Sequence, residues 1–241
     1  MTRTLSPETL TSVHRVWARR LGAPTSVFDG GETSFVTRPD LTATVVVRLG
    51  GATVVAAPDH ALSDLRPLVL HELVDVPSLV TALQSHGASV IGEASLSFAD
   101  HFTVSPAAHA PLDGAVRVAL GADADAVLSM CSDDERDESG LDRMTSRLVA
   151  TGRSGEPVAL AGHEVWDDAL AQLGLAVAPG CRGQGFGKVA AGAAALQAIR
   201  GGRVAQWRCR AGNLASERVR DRVGFVPLGT QIAIDLAPAR P

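Results

Sequence analysis

A glycine-rich turn between residues 182 and 188 has the composition of a phosphate-binding loop. It reads Arg182-Gly-Gln-Gly-Phe-Gly-Lys188, follows an apolar run ending at Val177, and precedes an alanine-rich segment. This pattern predicts a buried strand, a turn and a helix that begins at the turn. The first amide groups of a helix have no partner within it, and together with the helix dipole they attract anions. Glycine lets the backbone approach a bulky ligand, so we expect these amides to bind a pyrophosphate.

Two well-known phosphate loops do not fit this turn. A Walker loop needs Ser or Thr after Gly-Lys, but Gly187-Lys188 is followed by Val189. A dinucleotide loop has Gly-x-Gly-x-x-Gly, whereas these glycines are evenly spaced. What fits is Arg-x-x-Gly-x-Gly after a strand ending in Val177-x-Pro179. It resembles motif A of the GNAT superfamily of N-acetyltransferases, which bind acetyl-CoA; the alternative is a strand-to-helix turn without a ligand.

The resemblance implies which residues bind acetyl-CoA. In the family, the strand before the turn separates from its neighbour and pairs its backbone with the pantetheine arm, which assigns Leu175, Ala176 and Val177. Asn213-Leu-Ala-Ser216 and Val223-Gly-Phe225 resemble a second family motif, whose Asn contacts the same arm. By resemblance, the cofactor site is therefore Leu175, Ala176, Val177, Arg182, Gly183, Gln184, Gly185, Phe186, Gly187, Lys188 and Asn213.

The family's usual general acid is absent. Relatives often carry a Tyr four residues before the second motif's Gly, but here Arg220 stands there and the chain has no tyrosine. A cysteine-like thiol has a pKa of about 8.5, so its thiolate is already a fair leaving group. Ser216 and Cys209 are the nearest alternative donors in the sequence, and both also fit a structural role. We predict Ser216 as a catalytic residue.

The amine acceptor must lose a proton before it attacks, because a lysine-like amine has a pKa of about 10.4. The strand before the turn offers only Gln172, but the preceding strand carries His163 and Glu164. Because successive side chains of a strand point to opposite faces, only one of these two side chains can face the cleft. We predict Glu164 as the catalytic carboxylate. Alternatively, Glu164 is a solvated residue on the outer face of its strand. Trp166 and Trp207 fit either the acceptor pocket or the core.

Composition limits the kind of protein. The chain has 241 residues, 46% of them hydrophobic and 20% charged, with a net charge of −4, so it lacks the basic surface of a nucleic-acid-binding protein. Three separated cysteines, without a Cys-x-x-Cys pair, indicate neither a metal site nor a disulfide framework. We expect no signal peptide and no membrane span, and therefore a cytoplasmic protein with no membrane partner.

The order of predicted elements indicates an α+β (mixed α/β) fold class in two domains. Residues 105–114 are rich in proline and small residues and predict a linker. After it, residues 115–241 read strand, two helices, three strands, helix, strand, helix, strand, which is the order of the GNAT fold. Residues 1–104 form a smaller α/β domain with an N-capped helix at Ser6 and a hairpin at Gly50-Gly51. It is either a degenerate GNAT-like half, as in tandem GNAT proteins, or unrelated.

Two functions and one form of assembly follow from this pattern. The first is an acetyl-CoA-dependent N-acetyltransferase whose partner is a small-molecule or peptide amine. Residues 133–138 predict a charged loop with five acids around Arg136, and beside a cleft this loop would favour a cationic acceptor. As a solvated loop it would have no such effect. The second function is a non-catalytic acyl-CoA-binding or regulatory module. In a third interpretation, the N-terminal half is a dimerisation module and the protein a homodimer.

Overall fold

The computed structural model describes residues 3–105, 116–144 and 146–237. Within these residues the fold is α+β, as predicted. The strands are β1 (Thr33–Thr37), β2 (Ala43–Leu49), β3 (Ala52–Ala57), β4 (Ser89–Ala99), β5 (Val116–Val118), β6 (Ser146–Thr151), β7 (Pro157–Trp166), β8 (Leu170–Val177), β9 (Val204–Arg210) and β10 (Val226–Asp235). The helices are α1 (Pro7–Leu21), α2 (Asp59–Leu65), α3 (Leu70–Leu73), α4 (Val76–Ala82), α5 (Gly121–Leu128), α6 (Asp133–Ser139), α7 (Phe186–Arg200) and α8 (Leu214–Val223). None of these helices is long and apolar enough to span a membrane.

The chain divides into two compact units, each made of several segments. The first comprises Met1–Leu10, Ser97–Arg208 and Asn213–Val226, and the second comprises Thr11–Leu96, Cys209–Gly212 and Pro227–Pro241. The predicted linker 105–114 lies, apart from Ser105, outside the described residues. The division into domains 1–104 and 115–241 therefore stays a prediction.

The first unit is a sheet with helices on both faces. Its strand order is β9-β8-β7-β6-β5, and β6, β7 and β8 form the predicted antiparallel meander. Val127 of α5 packs with Leu160 and Ala176 in one core. A Cβ built on Gly187 of α7 would lie 3.0 Å from Val177 Cγ2. Because neighbouring strand residues point to opposite faces, α5 and α7 cover opposite sides of β8.

The charged segment before the meander is a helix, so its prediction as a loop is wrong. Ser132 caps α6 with its hydroxyl 3.3 Å from the Glu135 amide, while a Glu135 carboxylate oxygen accepts from the Ser132 amide at 3.0 Å. This reciprocal capping box satisfies two helix-end amides, and Gly140 ends the helix with φ +64°. After Gly140 the chain forms the 3-10 turn Leu141–Arg143.

In the second unit the strands follow the order β1-β3-β2-β10-β4. The predicted hairpin is confirmed: Leu49 of β2 is opposite Ala52 of β3, and Gly50 takes φ +57°. Three short helices, α2 to α4, occupy the region predicted as helical, and Pro77 lies in the first turn of α4. The apolar core of this unit is formed by α2, α4 and strands β2, β3 and β10.

The start of α1 is fixed to the first unit by one buried carboxylate. Ser6 Oγ accepts from the Thr9 amide at 3.1 Å, which confirms the predicted N-cap. Asp100 accepts hydrogen bonds from Ser6 N (3.0 Å), Thr9 Oγ1 (2.9 Å), Phe102 N (2.9 Å) and Thr103 N (3.1 Å). Burial alone would raise the Asp100 pKa, but these hydrogen bonds outweigh it and hold the pKa below its ordinary value.

Candidate active site

Strand β8 separates from its parallel neighbour β9 and opens a cleft. The register pairs Leu170 with Val204 and ends where Gln172 meets Gln206, while β8 continues against β7 to Val177. At the point of separation, Gln206 Nε2 donates to Gln172 Oε1 at 2.6 Å. Gln172 Nε2 in turn donates to the Leu173 carbonyl at 2.9 Å. The two buried glutamines therefore close the narrow end of the opening.

The backbone of β8 alternates between β7 and the cleft. The Ala178 amide donates to Val158 of β7 at 2.9 Å. Because successive peptide groups of a strand point to opposite edges, those of Ala176 face β7, and those of Leu175 and Val177 face the opening. The Val177 carbonyl accepts from Arg182 Nε at 3.2 Å. Leu175 is thus the residue best placed to form backbone hydrogen bonds with an extended ligand. Ala176 also lines the cleft, but its peptide groups face β7.

The glycine turn lies directly beyond the end of β8. Gly183 and Gly185 have φ values of +77° and +95°, a region that other residues enter at a cost. Gly185 is the N-cap of α7, so no side chain caps this helix. The intrahelical hydrogen bonds begin with Val189 N to Gly185 O at 3.2 Å, and the amides before Val189 point out of the helix end. This geometry suits a phosphate group.

The cleft has a volume of about 390 Å³, within the range of small-molecule sites. Its walls are β8, the glycine turn, the start of α7, the face of α8 and the acidic helix α6. Of the predicted cofactor residues, only Gln184 and Phe186 are outside its lining. The Gln184 side-chain amide donates to the Gly180 carbonyl at 3.0 Å. The structure therefore brings the other nine predicted residues together.

Helix α6 contacts both sides of the cleft. Glu135 Oε1 lies 2.8 Å from Arg182 Nη2, and Glu138 Oε1 accepts from Asn213 Nδ2 at 3.3 Å. Hydrogen bonds from Ser132 and the Arg182 guanidinium lower the Glu135 pKa. The helix approaches the sheet closely at Gly174, where any Cβ would collide with the Ser139 carbonyl. Position 174 therefore needs glycine for packing.

Ser216 lies in the cleft with an oriented hydroxyl. Its Oγ accepts from Trp207 Nε1 at 3.0 Å, and its amide donates to Asn213 Oδ1 at 3.1 Å. Since the indole fills one lone pair, the hydroxyl hydrogen remains available to a ligand. Trp207 is buried against Phe225 and also lines the cleft, so it is at once a core and a cleft residue. The other candidate donor, Cys209, is outside the lining and lies 3.1 Å from Ser95 Oγ.

The structure does not bring the predicted base to the cleft. Glu164 is outside the lining and accepts from Trp166 Nε1 at 3.2 Å. His163 is buried outside the lining, and burial, aided by Arg203, lowers its pKa. Arg220, at the position of the family's Tyr, is also outside the lining and lies 2.8 Å from Asp221 Oδ1. The catalytic role of Glu164 stays a prediction.

Sequence reasoning missed one wall of the cleft. Helix α8 lines it with Ala215, Arg218, Val219 and Arg222, whose spacing of three, four and seven residues defines one helical face. This spacing could have been recognised in the sequence as one face of a helix. Cys131 also lines the cleft, where burial and the Glu135 carboxylate raise its pKa and keep it a thiol. It is therefore a poor nucleophile at neutral pH.

Solved structures share this fold, in which a strand separates from its neighbour beside an uncapped helix N-terminus. A GCN5-related N-acetyltransferase from Kribbella flavida is 21% identical, with a TM-score of 0.50, over 68% of this chain and 65% of that chain. A Drosophila protein is 20% identical, with a TM-score of 0.50, over 72% of this chain and 60% of that chain. The match thus spans less than two thirds of either neighbour's length.

A sequence profile matches one part of the chain. Residues 119–225, less than half of the chain, match the profile of the acetyltransferase (GNAT) family. The match contains α5, α6, the meander, the glycine turn, α7, β9 and α8. No match was found among curated proteins.

Proposed function

We propose that this protein is an N-acetyltransferase that takes acetyl-CoA as co-substrate and acetylates a primary amine of a small molecule or peptide. The observation that carries this proposal is the separation of β8 from β9 beyond Gln172 and Gln206. It leaves the Leu175 peptide groups facing a cleft that ends at the glycine turn. An extended amide-bearing ligand can pair with such an edge as an added strand does.

The residues present fit CoA. Gly183 and Gly185 adopt conformations that expose turn amides, and the α7 N-cap has no side chain that would compete with a phosphate. At Gly187 an added Cβ would press on Val177 Cγ2 at 3.0 Å and Leu175 Cδ2 at 3.4 Å, so the helix end lies close to the strand. The turn and the strand edge are therefore adjacent, as a pyrophosphate joined to a pantetheine arm requires.

Ser216 is the proton donor in this proposal. Acetyl-CoA supplies an activated acetyl thioester. As the amine nitrogen bonds to the carbonyl carbon and the carbon–sulfur bond breaks, the Ser216 hydroxyl would donate its hydrogen to the departing sulfur. The nitrogen would release one proton to water, and Ser216 would recover a proton from water, so no net proton is gained or lost. Trp207 holds the Ser216 oxygen from the other side at 3.0 Å, which fixes the direction of the hydroxyl.

Glu138 supports the proposed cationic acceptor. Of the six residues in the acidic segment, only Glu135 and Glu138 line the cleft; Glu135 contacts Arg182, and Glu138 contacts Asn213. The Glu138 carboxylate can attract an ammonium group and take its proton, which leaves the neutral amine that attacks. The preference for a cation in this proposal therefore rests on one carboxylate, not on the whole segment.

A non-catalytic acyl-CoA-binding module is the second candidate. It is favoured because Glu164 is outside the cleft and Arg220 is paired with Asp221. The test measures acetyl-CoA binding by calorimetry and free thiol release from acetyl-CoA with a panel of cationic, neutral and anionic amines. Binding with amine-dependent thiol release supports the enzyme, and binding without release selects the module. Absence of binding at millimolar acetyl-CoA contradicts both.

A further inference from the structure

Two arginines on α8 line the cleft without partners. Arg218 and Arg222 are one helical turn apart, on the same face, and both are exposed. Within the part of the chain that the structure describes, neither forms a hydrogen bond or an ion pair. Arg220, which lies between them on another face, is paired with Asp221 at 2.8 Å. Like charges four residues apart destabilise a helix by roughly 0.2–0.5 kcal/mol, so this arrangement carries a cost.

The arginine face lies beside the glycine turn. Val219, which lies between the two arginines on this face, has its Cγ2 3.8 Å from the position of a Cβ on Gly187. Arg218 and Arg222 therefore flank a direct contact between α8 and the first turn of α7. They are close to the phosphate-binding amides but belong to a different wall of the cleft.

The charge of the cleft is opposite to that of the chain. Its lining holds five cations, Arg182, Lys188, Arg208, Arg218 and Arg222, against the two carboxylates Glu135 and Glu138. The whole chain has a net charge of −4. The carboxylates contact Arg182 and Asn213, and neither forms an ion pair with Arg218 or Arg222 in the part of the chain that the structure describes. Positive charge concentrated in a concave site attracts a ligand with several negative charges.

We propose that Arg218 and Arg222 bind a phosphate monoester, separate from the pyrophosphate at the glycine turn. In CoA this group is the 3′-phosphate of the ribose, so the inference rests on the proposed function and specifies its co-substrate. A guanidinium presents a planar pair of donors that matches a phosphate better than a point charge does. A phosphate monoester carries about −1.5 to −2 charges at pH 7, enough to engage both arginines.

The test compares CoA with 3′-dephospho-CoA by calorimetry. Wild type is expected to bind CoA roughly tenfold or more tightly than the dephospho form, since hydrogen bonds to charged groups have that magnitude. Arg218→Gln and Arg222→Gln, combined, should remove this difference by weakening CoA alone. Arg218→Lys should retain part of it. The matched control is Arg200→Gln, which removes the same charge from the exposed last turn of α7, outside the cleft.

Each result decides the inference. Equal affinity of wild type for the two ligands, or an equal loss for both in the double variant, overturns it and leaves the proposed function standing. Absence of binding by both ligands to wild type overturns the proposed function and this inference together. The single variants and Arg218→Lys keep the test decisive if the double variant melts well below wild type without ligand.

Discussion

Glu135 of α6 forms an ion pair with Arg182 of the glycine turn, with Oε1 2.8 Å from Nη2. The same arginine donates through Nε to the Val177 carbonyl at 3.2 Å. Arg182 thus connects the acidic helix to the end of β8. Because both residues line the cleft, a phosphate bound at the turn competes with Glu135 for this guanidinium.

Glu135→Gln should therefore strengthen binding of CoA by about two- to fivefold, since exposed ion pairs contribute up to about 1 kcal/mol. Calorimetry measures the affinity. Asp134→Asn is the control, because Asp134 is exposed on the same helix and outside the cleft. Weaker binding in Glu135→Gln alone would show that Glu135 orients Arg182 toward the ligand instead.

Gly185→Val should abolish CoA binding. Gly185 has φ +95° and is the N-cap of α7, so a branched side chain both strains the backbone and occupies the anion site. In wild type, ligand at a hundred times its dissociation constant adds roughly 2.7 kcal/mol to stability, and the rise in melting temperature reports it. Gly202→Val has similar strain at φ +77°, outside the cleft, and should retain the rise. If Gly185→Val kept the full ligand-induced rise in melting temperature, the pyrophosphate would not bind at these amides.

Ser216→Ala should lower kcat by less than about a hundredfold and leave acetyl-CoA affinity unchanged. A thiolate with a pKa of about 8.5 needs only modest assistance to leave. Trp207→Phe keeps the hydroxyl but removes the indole donor at 3.0 Å, so it should have a smaller effect. Single-turnover thiol release measures both. A loss near a thousandfold would instead make Ser216 a strong general acid.

Glu138→Gln should raise the KM of a cationic amine roughly three- to tenfold and leave that of acetyl-CoA within twofold, because only the acceptor loses an opposite charge. Increasing salt should reduce the difference, since exposed charges are screened beyond about 8 Å at physiological ionic strength. Asp137→Asn, on the exposed part of α6 outside the cleft, serves as the control. Equal KM values for wild type and Glu138→Gln would show that Glu138 does not contribute to acceptor binding and that α6 has only a structural role.

Asp100 should govern part of the acid stability. Its folded pKa is below the unfolded value of about 3.9, so its contribution is complete above that value and is lost as pH falls through the folded pKa. Asp100→Asn should cost roughly 2–4 kcal/mol at pH 7, because three backbone hydrogen bonds and one side-chain hydrogen bond lose a charged acceptor. Denaturant unfolding at pH 7 and pH 3 measures the difference, which should shrink at pH 3. Asp125→Asn, exposed on α5, should change neither value, and a pH-independent cost would assign Asp100 a packing role only.

The glycine turn could be predicted from sequence because its determinants are local. Positive φ at Gly183 and Gly185, and the change from an apolar run to an alanine-rich one, depend on neighbouring residues alone. The separation of β8 from β9 is not local. Only the resemblance to a family indicated it, since no pattern in β8 marks Gln172 as the last paired residue.

Helix α6 was misread because two signals compete in its sequence, and the position of Glu164 relative to the cleft depends on register. Helix α6 has the Ser132–Glu135 capping box, but its charge density favoured a loop in the sequence. Glu164 was predicted as the catalytic carboxylate because it lies on the strand that precedes β8. The register places it opposite Gln172, one strand away from the opening, which no local pattern could show.

The hydrogen bond between Gln172 and Gln206 limits the depth of the cleft. Both side chains are buried, and separating the strands further would break this buried hydrogen bond at a cost of roughly 1–3 kcal/mol. The two strands are therefore prevented from peeling apart further along their length. The point at which β8 and β9 separate is therefore fixed, and a ligand that lies between the two strands can extend no further toward their paired ends than Gln172 and Gln206.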